Sequence, residues 1–136
     1  MKKMEFMREA GKAIMDVFKE EYGNQTDCQL SMKLKKRDGV FQISHSSGYV
    51  KLFVYCTGAI SYCYGSSFFK TRTDYLTYYE YNETDNHAEV IKKFKKDLKK
   101  LLAVDLLFVM CMDNDPLDKM IDFEYAKEFR YKGCEK

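Results

Sequence analysis

The sequence predicts an α+β domain in which a four- or five-stranded antiparallel meander sheet is flanked by an N-terminal helix and C-terminal helices. The stretch from Cys28 to Tyr81 alternates apolar and polar residues with a period of two, the pattern of half-buried strands. Segments of helical period lie before and after it, so helices and strands are segregated along the chain. Because 136 residues is the length of one ordinary domain, we expect a single globular domain over residues 1–136.

The first helix is predicted from about Lys2 to Tyr22. Gly23 and Asn24 follow it and supply a stop. The apolar residues that recur at helical spacing within it are Met7, Ala10, Ile14, Val17 and Phe18.

Two hairpin turns are predicted, at Asp38–Gly39 and at Ser47–Gly48. They set Leu34 opposite Ile43, and Ile43 opposite Leu52. Both registers choose the same core face, which is strong evidence because a slip of one residue sends an apolar set to the other face. That face collects Cys28, Leu30, Met32, Leu34, Phe41, Ile43, Val50, Leu52, Val54 and Cys56.

A third turn at Thr57–Gly58 leaves two registers open. A two-residue loop places the small residues on the core face, and a three-residue loop places the large ones there. The small set is Ala59, Ser61, Cys63 and Gly65, and the large set is Ile60, Tyr62 and Tyr64.

A fifth strand is expected from about Lys70 to Tyr81, with tyrosines on both sides. One side carries Tyr75, Tyr79 and Tyr81, and the other carries Leu76 and Tyr78.

The second helix begins after Asn86, a suitable N-cap with Glu89 as its capping partner. Leu106–Met112 continues this helix or forms a buried strand, because a short apolar run has no period of its own. Pro116 opens a third helix, for which the alternative is a strand over Ile121–Tyr125. The apolar face of the second helix is Val90, Ile91, Phe94, Leu98, Leu101 and Leu102.

Composition points to a soluble, cytoplasmic protein with no membrane span. The chain is 46% hydrophobic and 32% charged, and its five cysteines show neither a disulfide framework nor a zinc spacing. Abundant lysine and tyrosine suggest a low-GC bacterium, a phage or a mobile element. The oligomeric state does not follow from these observations.

Catalytic patterns are missing, so we expect a protein that is not an enzyme and needs no cofactor or metal. There is no phosphate loop, GxSxG, HExxH or CxxC. His45 is the best acid–base candidate but has the pattern of a strand-end residue, and His87 and Cys63 have no partner that the sequence identifies. The acids Asp113, Asp115 and Asp118 match a helix cap better than a cation site.

A lysine stripe on the second helix is a solvated face or a polyanion-binding surface. Its members are Lys92, Lys93, Lys95, Lys96, Lys99 and Lys100, but the net charge of the whole chain is only +2.

The most unusual predicted feature is an aromatic sheet face opposite the aliphatic core. Under the two-residue option for the third turn it collects Tyr49, Phe53, Tyr55, Tyr62 and Tyr64, with Lys33, Lys35 and Lys51 on the same side. Such a face is a second small core, a protein interface or a base-stacking surface.

From these patterns we expect a non-catalytic binding module that associates stoichiometrically with a macromolecular partner, principally a protein. An inhibitor of host machinery, such as an anti-defence protein, fits the composition. The alternative is a nucleic-acid-binding protein that uses the lysine-rich helix and the aromatic face.

Overall fold

In the computed structural model, an antiparallel sheet carries two helices on one of its faces. The structure describes residues 1–45, 48–66, 71–72, 75–103 and 124. The elements are α1 (Lys3–Tyr22), β1 (Gln29–Lys35), β2 (Asp38–His45), β3 (Gly48–Val54), β4 (Ile60–Ser66), β5 (Thr71–Arg72), β6 (Leu76–Tyr79) and α2 (His87–Ala103). The α+β class, the first two helices and the antiparallel sheet are confirmed.

The first four strands form a meander in chain order, and β5 and β6 both pair with β4. Gly65 faces Arg72 near one end of β4, and Tyr62 faces Leu76 further along the same strand. The two short strands therefore lie one after the other beside β4, in the place predicted for a single fifth strand. Within the described residues, β1 pairs with β2 alone and forms an edge of the sheet.

The first hairpin turn does not lie at Asp38–Gly39, as predicted, but two residues earlier in the chain, at residues 36–37. Lys35 faces Asp38 and Leu34 faces Gly39, and Lys36 has a φ of 60°. Asp38 is used instead for a tertiary contact, because its Oδ1 accepts a hydrogen bond of 2.8 Å from the Cys56 amide.

The position of Gly39 within β2 is explained by close packing. A Cβ at this position would stand 3.0 Å from the Phe41 ring. A side chain there would displace that ring, so Gly39 serves close packing rather than a turn.

The second connection is residues 46–47, where the sequence predicted Ser47–Gly48. His45 faces Gly48, and Ile43 faces Val50 rather than Leu52. Both register errors move the partner by an even number of residues, so the predicted faces survive even though the predicted pairs are wrong.

The third connection settles the register that the sequence left open. The Tyr55 amide donates to the Ala59 carbonyl at 2.9 Å, and Gly58 has a φ of +88°, which favours glycine. The three-residue option is therefore correct, and Tyr62 faces Leu52 while Tyr64 faces Val50.

Strand β6 breaks the predicted alternation of its tyrosines. A register shift occurs between Ile60 and Ser61 of the partner strand. As a result Tyr78 and Tyr79, which were predicted on opposite sides, are both buried.

Helix α2 begins as predicted, because the Asn86 side-chain oxygen accepts from the Glu89 amide at 3.2 Å. Its apolar stripe and that of α1 enclose one core with the sheet. Members of this core include Phe6, Ile14, Ile43, Val50, Leu52, Ile60, Tyr62, Phe94 and Leu98. Three predictions fall on residues that, apart from Glu124, lie outside the described part of the chain. They concern Leu106–Met112, a helix after Pro116 or a strand over Ile121–Tyr125, and the three aspartates.

Two leucines on the same sheet face offer a matched test of this core. Leu52 is 2% exposed and Leu34 is 77% exposed. We expect Leu52→Ala to lower the free energy of unfolding by about 2–5 kcal/mol, because it leaves a cavity. Leu34→Ala should stay within about 0.5 kcal/mol of the parent protein. Urea denaturation followed by circular dichroism measures both, and equal losses would contradict the arrangement.

Candidate protein-binding surfaces

Helix α1 carries two apolar stripes, of which only one belongs to the core. The core stripe is Phe6, Ala10, Ala13, Ile14 and Val17. The second stripe follows the spacing of a helix face and stays partly exposed to solvent; its members are Met4, Met7, Met15 and Phe18. The helical spacing predicted Met7 and Phe18 on one stripe with Ala10, Ile14 and Val17, and both do pack against the core while staying partly exposed. An apolar arc wider than one stripe was the pattern that could have revealed the second surface.

The second stripe forms one wall of a groove between α1 and the edge strand β1, with a volume of about 440 Å³. Met32 and Leu34 of β1 form the other wall, and Phe41 lies at its floor. Met4, Met32 and Leu34 are 65%, 54% and 77% exposed. We name this surface the α1–β1 groove; its apolar lining is Met4, Met7, Met15, Met32, Leu34 and Phe41. The alternation of β1 correctly predicted that Met32 and Leu34 lie on the core face of the sheet. They were also expected to be buried there, and they are not.

A second depression adjoins the α1–β1 groove at Met15. It continues along α1 to Phe18 and Lys19 and along β1 to Leu30. The apolar surface therefore follows α1 from Met4 to Lys19, on the order of 20 Å at the rise of a helix.

Charged residues are divided between the two sides of α1. The charged side chains that line the groove and its extension are Arg8, Lys12 and Lys19, all basic. None of the three forms an ion pair in the described part of the chain. The groove therefore combines an apolar floor with a positive rim.

The acids of α1 that form ion pairs face α2 instead. Glu20 accepts from the Lys99 ammonium at 2.6 Å, and Lys95 lies 3.8 Å from Glu20 and 3.9 Å from Asp16. The hydrogen bond from Lys99 is the main cause that lowers the pKa of Glu20 below its ordinary value.

The lysine stripe of α2 is thereby partly neutralised. Lys95 and Lys99 pair with α1, and Lys100 lies 3.4 Å from Glu124. Lys92 and Lys96 remain exposed, and Lys93 is half-buried. Ion pairs with α1 and with Glu124 thus involve three of the six lysines in a stripe that the sequence offered as a polyanion-binding surface.

The predicted aromatic face is smaller than expected, and its two central tyrosines are misplaced. Tyr62 and Tyr64 are buried in the core, because the three-residue connection turns them towards the helices. The two-residue option, under which they would lie on the outer face, is therefore wrong, and both side chains are buried.

Three aromatic residues of the outer face, Phe53, Tyr55 and Tyr75, form one cluster. Phe53 packs edge-on against Tyr75, with ring centroids 4.8 Å apart, and stacks beside Tyr55 at 6.1 Å. The Tyr55 hydroxyl lies 2.9 Å from that of Ser61. These contacts hold the cluster in place on the sheet, as expected of a second small core.

The other predicted partner-binding residues are spread over the same outer face. Tyr49 and Lys51 are half-buried on β3, while Lys33 and Lys35 are exposed on β1. Lys33 faces Val40, and Val40 in turn faces Phe53. The structure thus places lysine at the margin of the aromatic cluster, where Lys33 and Lys51 line a depression of about 130 Å³ with Val40.

Two of the three side chains considered for catalysis, those of His87 and Cys63, are buried. His87 is buried between the rings of Phe6 and Tyr81, and its Nε2 donates to the Asn82 carbonyl at 2.8 Å. Cys63 is buried on β4, and His45 faces Gly48 at the end of β2. Among the described residues, no group of three or more His, Cys, Asp or Glu side chains is placed to hold a metal ion.

A buried carboxylate on α2, that of Asp97, lies in the core. Asp97 is 1% exposed and accepts hydrogen bonds from the Tyr78 hydroxyl at 2.6 Å and the Glu124 amide at 2.5 Å. It joins α2 to β6 and to Glu124, which is a structural function.

No helix in the described residues is long and apolar enough to cross a membrane. Comparisons with family models, with curated proteins and with solved structures found no match to this chain.

The contact between Glu20 and Lys99 predicts a measurable titration. Because the folded pKa of Glu20 is depressed, its stabilising contribution is present above the unfolded pKa and is lost as the pH falls through the folded value. We expect NMR titration of the Glu20 carboxyl to show the lowered pKa, and Lys99→Ala to raise it towards the ordinary value. Lys92→Ala is the control and should leave it unchanged. An unchanged pKa in Lys99→Ala would refute the contact.

Proposed function

We propose that this protein is a non-catalytic binding module that associates stoichiometrically with a protein partner through the α1–β1 groove. The observation that supports the proposal is the concentration of exposed apolar side chains in that one surface. Met4, Met32 and Leu34 are all more than half exposed and lie together. Contiguous apolar patches of this kind mark interaction sites in soluble proteins.

The burial pattern favours the groove over the outer face as the principal site. On the outer face, Phe53, Tyr55 and Tyr75 already pack against one another. In the groove, by contrast, Leu34 faces Gly39, which has no side chain to cover it. A partner bound in the groove therefore removes more apolar surface from water than a partner bound on the outer face.

Nucleic-acid binding is the weaker candidate. Its two supports were the lysine stripe, half of which forms ion pairs, and the aromatic face, from which Tyr62 and Tyr64 are withdrawn into the core. An inhibitory role against host machinery stays a prediction from composition.

Truncation of two groove residues tests the proposed site. We expect a tagged protein to retain one partner from the source cell at close to one-to-one stoichiometry, with or without nuclease. Met32→Ala/Leu34→Ala should weaken that complex by about thirtyfold or more, the effect of losing an interface hot spot. Quantitative mass spectrometry and calorimetry with the purified partner measure both results.

Thr57→Ala is the control, because Thr57 is exposed on the β3–β4 connection and lines neither the groove nor its extension. It should leave the complex intact. A partner that is released by nuclease, or a complex equally strong in the double variant, would overturn the proposal.

The non-catalytic character is tested separately at His45. We expect His45→Ala to leave partner binding and the biological effect unchanged. His87 is unsuitable for this test, because its ring is packed between Phe6 and Tyr81 and its loss would disturb the core. Loss of the effect in a folded His45→Ala protein would indicate chemistry at that residue.

A further inference from the structure

We propose that the α1–β1 groove binds an amphipathic helix of the partner, with an apolar stripe against the methionines and acidic side chains against the basic rim. This inference rests on the proposed function and names the chemistry of the partner. Three observations carry it: the length and shape of the groove, the sign of its charges and the position of β1 at the sheet edge.

The shape of the groove suits a helix. Its walls are a helix and the helix-covered face of a strand, and it follows α1 from Met4 to Lys19. A helix of about 10 Å diameter laid beside α1 contacts both walls at once. The bound helix would lie beside α1, on the side opposite α2, and would become the third helix of the layer that covers the sheet.

An added β-strand fits this surface less well. A strand that pairs with the free edge of β1 lies in the plane of the sheet, about 4.8 Å from β1. It would reach β1 but not Met4 or Arg8 on α1. Most of the exposed apolar surface of α1 would then stay in water.

The charge of the rim selects an acidic occupant. Arg8, Lys12 and Lys19 line the groove and its extension, and no acidic residue lines either depression within the described residues. Two of the three, Arg8 and Lys12, are spaced four residues apart on a helix, so acids at the same spacing on the bound helix would meet both. Like charges at this rim would be repelled.

The same rim disfavours a second copy of this chain as the occupant. A symmetric dimer through the groove would bring two sets of Arg8, Lys12 and Lys19 together. A hetero-partner with negative charge removes this repulsion.

A small apolar ligand or a membrane also fits poorly. Small ligands are held in sites that bury most of their surface, whereas Leu34 stays 77% exposed here. A bilayer presents a flat surface and does not fill a recess between a helix and a sheet. Binding of a small apolar ligand or of a membrane at the groove would therefore refute the proposal.

Selection from a peptide library tests the inference without knowledge of the partner. The bait is the full chain, and the library displays peptides with apolar residues at helical spacing and every other position randomised. The Met32→Ala/Leu34→Ala protein serves for counter-selection. We expect the enriched peptides to carry net negative charge, to become helical on binding and to lose affinity when proline is placed at their centre.

Charge reversal at the rim has a matched control in the chain. Arg8→Glu/Lys12→Glu should weaken the selected acidic peptides by at least about tenfold in fluorescence anisotropy and reduce their salt dependence. Lys92→Glu/Lys96→Glu makes the same charge change at exposed positions with the same spacing on α2, and should leave the affinity within about twofold once the salt is at physiological strength. Thermal unfolding verifies that both proteins are folded.

Several results would overturn the inference. They are enrichment of basic or neutral peptides, tolerance of a central proline, equal loss in the two charge-reversed proteins, no enrichment over the counter-selection bait, or groove-dependent binding to anionic lipid vesicles. If the cellular partner still requires Met32 and Leu34 while the library result is negative, the proposed function stands and only the helix assignment fails.

Discussion

The position of α1 on the sheet controls which apolar surface is buried and which remains accessible. Near its start, Phe6 packs among the rings of Tyr79, Tyr81 and His87, with the ring of Tyr79 5.0 Å away. Near its end, Glu20 bonds to Lys99 on α2. Both attachments are on the side of α2, so α1 is held over β2 and β3 and away from β1. The exposed groove beside β1 is the direct result of this placement.

A close approach in the middle of α1 completes the arrangement. Gly11 lies over Phe41, and a Cβ there would stand 3.1 Å from the Phe41 ring. The missing side chain lets the ring fill the space under the helix and lets it form the floor of the groove at the same time. Phe41 thus joins the core to the candidate binding surface, and any partner in the groove contacts a residue that also supports α1.

The sequence predicted the fold class, both described helices and the core face of every meander strand except β4, but not the strand pairings or the accessible surface. Alternation is a local pattern and survives an even shift of register, whereas a turn depends on tertiary contacts such as that of Asp38 with the Cys56 amide. Tyrosine is both apolar and polar, so its pattern could not decide whether Tyr62 faces the core. The exposure of Leu34 depends on where α1 lies over the sheet, and no periodicity within β1 carries that information.

The composition of the groove implies that its apolar lining and its charges contribute differently to recognition. Met4, Met7, Met15 and Met32 have unbranched, adaptable side chains, which adjust to partners of different shape and discriminate weakly among apolar anchors. Charges at a rim act over longer distances, accelerate association and penalise partners of the wrong sign. Under the proposed function, selectivity at this surface therefore depends on the basic rim rather than on the methionines. The acids that pair with α2, Asp16 and Glu20, line neither depression, and the charged residues that do line them are all basic.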